Sequence, residues 1–161
     1  MNINNLNELP EWKDRSEEGE GWKQKPTLQA CKILYAKWNE VMIMLHGALG
    51  SIKEIGEQQE DSFTNDIKRM LFSDAYEVGS KIRSTETGEG MYIIRMENAA
   101  IIRKNAQFVK SSVLTLIMEG EIEEEHGEAI IHEIEVFREL FIKWVNTFEK
   151  DEYTDEWGLF I

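Results

Sequence analysis

Cysteine is almost missing from this chain, and its one thiol, Cys31, has no partner with which to close an internal disulfide. Proline is nearly as scarce. Pro10 and Pro26 are the only two, so from residue 27 to 161 nothing locks φ or removes a backbone donor. Long apolar runs are lacking as well: charges break every segment well short of the about 20 consecutive apolar residues that cross a bilayer as a helix, which excludes a membrane-spanning helix. Basic residues number 18 against 31 acidic ones, leaving a formal charge of −13, so the surface repels phosphate backbones and anionic lipid at long range. Nucleic acid would need a local basic patch against that field. The opening Met1-Asn2-Ile3-Asn4-Asn5-Leu6 has neither the basic start nor the apolar stretch of a secretory signal. With the lone cysteine, this makes the reducing cytoplasm the expected location.

What the chain does have is length and helical periodicity. At 161 residues it suits a single core burying about 68–70% of the surface of the unfolded chain, with no metal or disulfide needed to fold. Residues 1–25 are rich in Asn, Glu and Gly, show no apolar period, and read as a flexible acidic arm. Two large aromatics in it, Trp12 and Trp22, gain by covering an apolar groove, either on their own bundle or on another protomer or protein.

Residues 26–150 read as an all-α bundle. Pro26 and Thr27 suit a first turn, and Cys31, Leu34, Trp38, Val41, Leu45, Ala48, Ile52 and Ile55 follow at alternating spacings of three and four. The seam passes over Gly47 and Gly50, each a weak helix former, which implies compensating packing or the close approach of a partner helix. A second helix starts at Ser62 or Thr64 and turns Ile67, Leu71, Ala75, Val78 and Ile82 inward. A third, from about Glu89 to Met118, aligns Ala99, Ile102, Ala106, Val109, Val113 and Leu116, with Ile101 and Phe108 widening the stripe. Gly120 stops it. The fourth carries Ile130, Ile134, Phe137, Phe141, Trp144 and Phe148 after an acidic start at Glu121 to Glu125. Short turns between long helices force neighbours antiparallel, so the expected fold is an up-down-up-down four-helix bundle with an irregular N-terminal arm and a short C-terminal tail.

Signals for chemistry are few. A di-iron or di-manganese bundle needs two Glu-x-x-His pairs on facing helices, and only Glu123 with His126 has that spacing. His132 falls opposite the fourth seam, and His46 shares a face with Asn39 and Lys53, away from the first. No metal, cofactor or catalytic residue is therefore expected. Cys31 lies in register with Leu34 and Trp38, as a small buried hydrophobe would.

Two features point to contacts instead. Asn98, Asn105 and Ser112 recur every seven residues beside the third seam, a polar line that fixes register or oligomer state if buried, borders solvent if not, or lines a polar ligand. The tail, residues 151–161, is acidic and then apolar, and its Trp157, Leu159, Phe160 and Ile161 must pack on the same bundle or on a partner.

Three segments carry a resemblance. Arg95-Met96-Glu97-Asn98-Ala99, the run from Glu135 to Val145, and Asp155-Glu156-Trp157-Gly158-Leu159-Phe160 resemble those of an uncharacterised family of small helical proteins from flavobacteria and other Bacteroidetes, over roughly Trp22 to Phe160. More distantly, helix order and lengths resemble the four-helix bundle proteins encoded in intervening sequences of 23S ribosomal RNA genes. The second resemblance implies a bundle that forms oligomers. It brings no functional residue, because the region before the third helix reads Val78-Gly79-Ser80-Lys81-Ile82-Arg83-Ser84-Thr85-Glu86-Thr87-Gly88, without the Ser-Ile-Pro-Ser-Asn stretch of that group.

The expectation is a cytoplasmic, non-catalytic homo-oligomer, a dimer or larger, acting as an interaction or assembly module, with an unidentified protein as a further partner. An RNA-associated protein and a metal- or small-ligand-binding bundle are the alternatives; a basic stripe on one face would mark the first and a polar cavity at Asn98 and Asn105 the second.

Overall fold

The computed structural model describes residues 8–11, 26–50, 62–85 and 92–160 and places four helices among them: α1 Pro26–Leu49, α2 Phe63–Thr85, α3 Tyr92–Met118 and α4 Glu124–Val145. No strand occurs among the described residues.

Helix termini follow local chemistry. Pro26 opens α1, where its missing N–H costs nothing. Gly50 closes it: with φ at 88° it sits in the left-handed region, and its amide bonds the His46 carbonyl at 2.9 Å. The seam expected to run on to Ile55 therefore stops at Leu49, and Ile52 and Ile55 lie outside the described residues. At Ser62 the hydroxyl accepts the Asn65 amide at 3.2 Å and caps α2. Helix α3 ends in a Schellman motif, with the Gly120 amide on Ile117 O at 3.0 Å and the Glu121 amide on Leu116 O at 2.9 Å, Gly120 at φ 74°. Glu124 and Glu125 in the first turn of α4 and Lys143 in its last complement the helix dipole. The amino end of α3 is capped from far away in sequence: Asp151 accepts the Tyr92 amide at 2.9 Å.

In cross-section the helices form a ring in which α1 and α3 each pack between α2 and α4. Pairing is antiparallel at every contact. The Cys31 thiol and Trp38 indole of α1 donate to the Ile82 and Ala75 carbonyls of α2 at 3.4 and 2.7 Å, and the Thr27 hydroxyl donates to Thr147 O at 3.2 Å beyond the end of α4. The third seam is buried throughout, and so are Leu34, Trp38, Val41, Leu45, Leu71, Ala75, Val78 and Ile82. Trp38 fills the centre with its ring centroid 4.7 Å from that of Phe137. Trp144 is fully buried and ringed by the half-buried Phe141 and Phe148, at 5.8 and 4.8 Å.

Two expectations fail at the margins of this core. Phe108 does not widen the third stripe; lying about 100° round the helix from Val109, it is 48% exposed. Gly47 marks no close approach either, since nothing lies within 4 Å of where its Cβ would stand. Between helices, Lys37 pairs with Glu133 at 2.7 Å and Lys110 with Glu135 at 2.6 Å, and Lys68 of α2 pairs with Glu121 in the turn after α3 at 2.6 Å. The hydrogen bond from Lys37 holds the Glu133 carboxyl below its usual range, and those from Lys110 and Arg138 do the same for Glu135. Among the described residues no helix is long and apolar enough to cross a membrane.

Candidate functional site

The tail is organised by one carboxylate. Asp155 accepts the Trp157 amide on Oδ1 at 3.2 Å and the Leu159 amide on Oδ2 at 2.6 Å, while its carbonyl accepts the Gly158 amide at 3.0 Å. An aspartate that binds amides two and four residues onward substitutes its side chain for a turn of backbone. Gly158 takes φ 73°, which glycine allows at no steric cost, and Phe160 follows at φ 55°. The outcome is a turn that holds Trp157 90% exposed and Leu159 60% exposed, with Phe160 half-buried. Ile161, Trp12 and Trp22 lie outside the described residues.

The polar line on α3 does not come together as one seam. Asn105 is buried and donates from Nδ2 to Glu77 of α2 at 2.8 Å, whereas Asn98 and Ser112 are only half-buried. Beside Glu77, burial and the neighbouring carboxylate push the Asp74 carboxyl up, and Lys104 opposes them.

The structure corrects the placement of one histidine. His46 is buried rather than turned from the core: its ring stacks on Phe72 at 4.5 Å, and Tyr76 crosses it edge-on at 6.4 Å. Its Nδ1 lies 3.1 Å from Gly50 O and its Nε2 3.4 Å from the Tyr76 hydroxyl. The neutral ring satisfies both contacts by donating from Nδ1 and accepting at Nε2. Because α1 ends at Gly50, His46 belongs to its last turn, folded over the end of the helix.

Burial lowers the His46 pKa below 6.5, and the hydrogen bond to Gly50 only partly opposes this. In the unfolded chain the imidazole protonates near pH 6.5, but in the folded one it does so at lower pH. The unfolded state thus binds more protons across that window, and the His46 contribution, complete above about pH 6.5, is lost as pH falls through it. His46→Gln is expected to flatten the loss of stability between pH 7.5 and 5.5, read from urea midpoints at the two pH values; an unchanged slope would assign that loss to other groups.

His126 and His132 are exposed. Among the described residues no three His, Cys, Asp or Glu side chains gather closely enough to hold a metal ion. Cys31 is fully buried. Among the described residues the buried indole Nε1–H of Trp144 has no hydrogen-bond partner.

A contact that sequence patterning missed lies at the other edge of the bundle. Leu9, from the arm, is buried to 7% exposure between α1 and α2. Its amide donates to Asn39 Oδ1 at 2.7 Å, and the Tyr35 hydroxyl donates to the next carbonyl, that of Pro10. Gly79 of α2 makes the room: a Cβ there would stand 2.7 and 2.9 Å from the two δ-carbons of Leu9. The available signal was a glycine inside a helix and a leucine–proline pair inside an arm without apolar period.

No protein-family model matches this chain, nor does any curated protein or solved structure.

Proposed function

We propose that the chain is a non-catalytic, self-associating module of the cytoplasm, and that the turn bearing Trp157 and Leu159 is the surface through which copies, or a copy and a protein partner, assemble. The observation that supports it is the exposure of Trp157, 90%, on a backbone already fixed by Asp155. A tryptophan side chain buries about 150–250 Å² in an interface. At about 25 cal/mol per Å² that is about 4–6 kcal/mol before ordering costs. Tryptophan is also enriched among residues that dominate binding energy. Holding the turn in advance lowers the entropy lost on docking. The acidic neighbours Asp155 and Glu156 keep the tip solvated until it meets an apolar surface.

Light scattering over a range of concentrations tests this. The wild-type chain is expected to exceed the 18.8 kDa of the monomer increasingly with concentration, and the double variant W157S/L159S to stay at 18.8 kDa with unchanged helicity. Equal masses for the two would remove the tail as the interface. A wild type that stays monomeric throughout would leave self-association without support.

A further inference from the structure

We infer that the outer stripe of α3, made by Ile94, Glu97, Ile101, Lys104 and Phe108, is where a second copy of this chain docks, the two α3 helices crossing antiparallel about a two-fold axis at Ile101. The inference rests on the reading that copies associate, and it names the surface that meets the tail turn.

Helix α3 carries two rows of apolar side chains. One, from Ala99 to Leu116, is buried in the bundle. The other is Ile94, Ile101 and Phe108, which recur every seven residues, the period of a helix that pairs with another along a single seam. Ile94 is 45% and Phe108 48% exposed, with Ile101 half-buried between them, so the four helices leave both ends of this row open. Met70 of α2 extends it. Lys104 acts on the Asp74 carboxyl across the α2–α3 contact, and one turn farther along each antiparallel helix Met70, 64% exposed, comes level with Phe108.

Charge selects the occupant. A chain at −13 repels its own copies, so two of them meet closely only where the charges they bring together match. On the stripe, Glu97 stands four residues before Ile101 and Lys104 three after it, with Ile94 and Phe108 each seven away. Such a row is complementary to itself read backwards. An antiparallel second copy sets Glu97 against Lys104 and Ile94 against Phe108, each contact made twice, as an isologous interface requires. A parallel copy would set like charges against each other. Both charged side chains are exposed, and the Lys104 ammonium lies over the Phe108 ring, 5.6 Å from its centre.

The tail falls in the same place. Asp151 ties it to the Tyr92 amide at the amino end of the stripe, and Trp157, six residues on, is within about 20 Å of that tie. In the antiparallel pair this end stands beside Phe108 and Met70 of the second copy, an apolar surface for Trp157 to cover.

Light scattering of the full chain at low ionic strength tests the pairing on Glu97→Lys, on Lys104→Glu and on their equimolar mixture. Either variant alone brings like charges together at both contacts and is expected to associate at least about tenfold more weakly than wild type. Mixed, the two chains restore opposite charges at both contacts, and association is expected to return to within about threefold of wild type. Glu and Lys are comparable helix formers, so unchanged helicity is expected throughout. Variants that associate as wild type does, or a mixture no stronger than its components, would overturn the inference. W157S/L159S measured beside them separates the two surfaces. If it dissociates while the charge variants behave as wild type, the tail reading stands and the α3 pairing falls. If it keeps the wild-type mass while mixing rescues the charge variants, the pairing stands and the tail reading falls. A wild type at 18.8 kDa at every concentration removes both.

Discussion

Trp38→Ala is expected to remove about 3–5 kcal/mol of stability, a large share of the about 5–15 kcal/mol that a domain of this kind possesses. Trp38 is fully buried and touches both helices that flank α1, its ring against Phe137 of α4 and its indole N–H on the Ala75 carbonyl of α2 at 2.7 Å. Truncation opens a cavity where three helices meet, and these cannot all close on it at once. A urea midpoint well below that of wild type, with an unchanged slope, is the expected reading. A loss under about 1 kcal/mol would mean that the centre of the bundle is not packed as described.

Replacing each buried tryptophan by phenylalanine separates volume from hydrogen bonding. Trp38→Phe loses a satisfied hydrogen bond as well as ring volume, whereas Trp144→Phe discards a donor that has no partner among the described residues. An unpaired buried donor costs about 1–3 kcal/mol, so its removal offsets part of the lost packing at Trp144. Trp38→Phe is therefore the more damaging of the two, although both rings are fully buried. Only the polar end of the indole distinguishes them.

Periodicity carried the fold because each helix buries one stripe, and alternation by three and four marks that stripe wherever the backbone stays helical. The third seam came through whole for that reason, from Ala99 to Leu116. It failed at Gly50 because apolar spacing continues through a residue whose backbone does not; a left-handed glycine ends the helix without disturbing the pattern on paper. His46 was misplaced by the same limitation. Position on a helical wheel does not say that Phe72 and Tyr76 of the neighbouring helix reach over to cover it. The Asp151 cap on α3 and the Leu9 contact with Gly79 join residues far apart in the chain, so no local pattern encodes them. Of the candidate contact residues, Trp157 and Leu159 were legible as apolar side chains without a seam to join, but the turn that fixes them depends on Asp155 bonding forward to their amides. The heptad of Asn98, Asn105 and Ser112 set them on one side of α3, yet of the three Asn105 is the buried one and bonds Glu77 of α2, while the other two are half-buried.

Glycine shows the same limitation with opposite energetic signs. Gly127→Val is expected to destabilise the protein by about 1–3 kcal/mol, the usual cost of overfilling a packed contact. A Cβ at Gly127 would stand 2.3 and 2.5 Å from Cδ1 and Cγ1 of Ile117 and 3.4 Å from Cγ2 of Ile122. Relieving both of the shorter contacts takes a turn of Ile117 about χ1 as well as χ2, which a β-branched residue in a helix resists, or a movement of the end of α3 away from the start of α4. That movement is opposed by the Schellman bonds at Gly120 and by the burial of Ile122 between the two helices. At Gly47 the surroundings are open, and alanine there relieves the conformational freedom that glycine loses on folding, worth about 0.5–1 kcal/mol of added stability. The sequence spacing at both sites is equally helical, and propensity alone ranks both substitutions as gains or near-neutral. Urea midpoints that fall for Gly127→Val and rise for Gly47→Ala would establish that contact between the ends of α3 and α4 sets the sign. A neutral Gly127→Val would place those ends farther apart than described and leave Ile117 and Ile122 without the glycine that lets them meet α4.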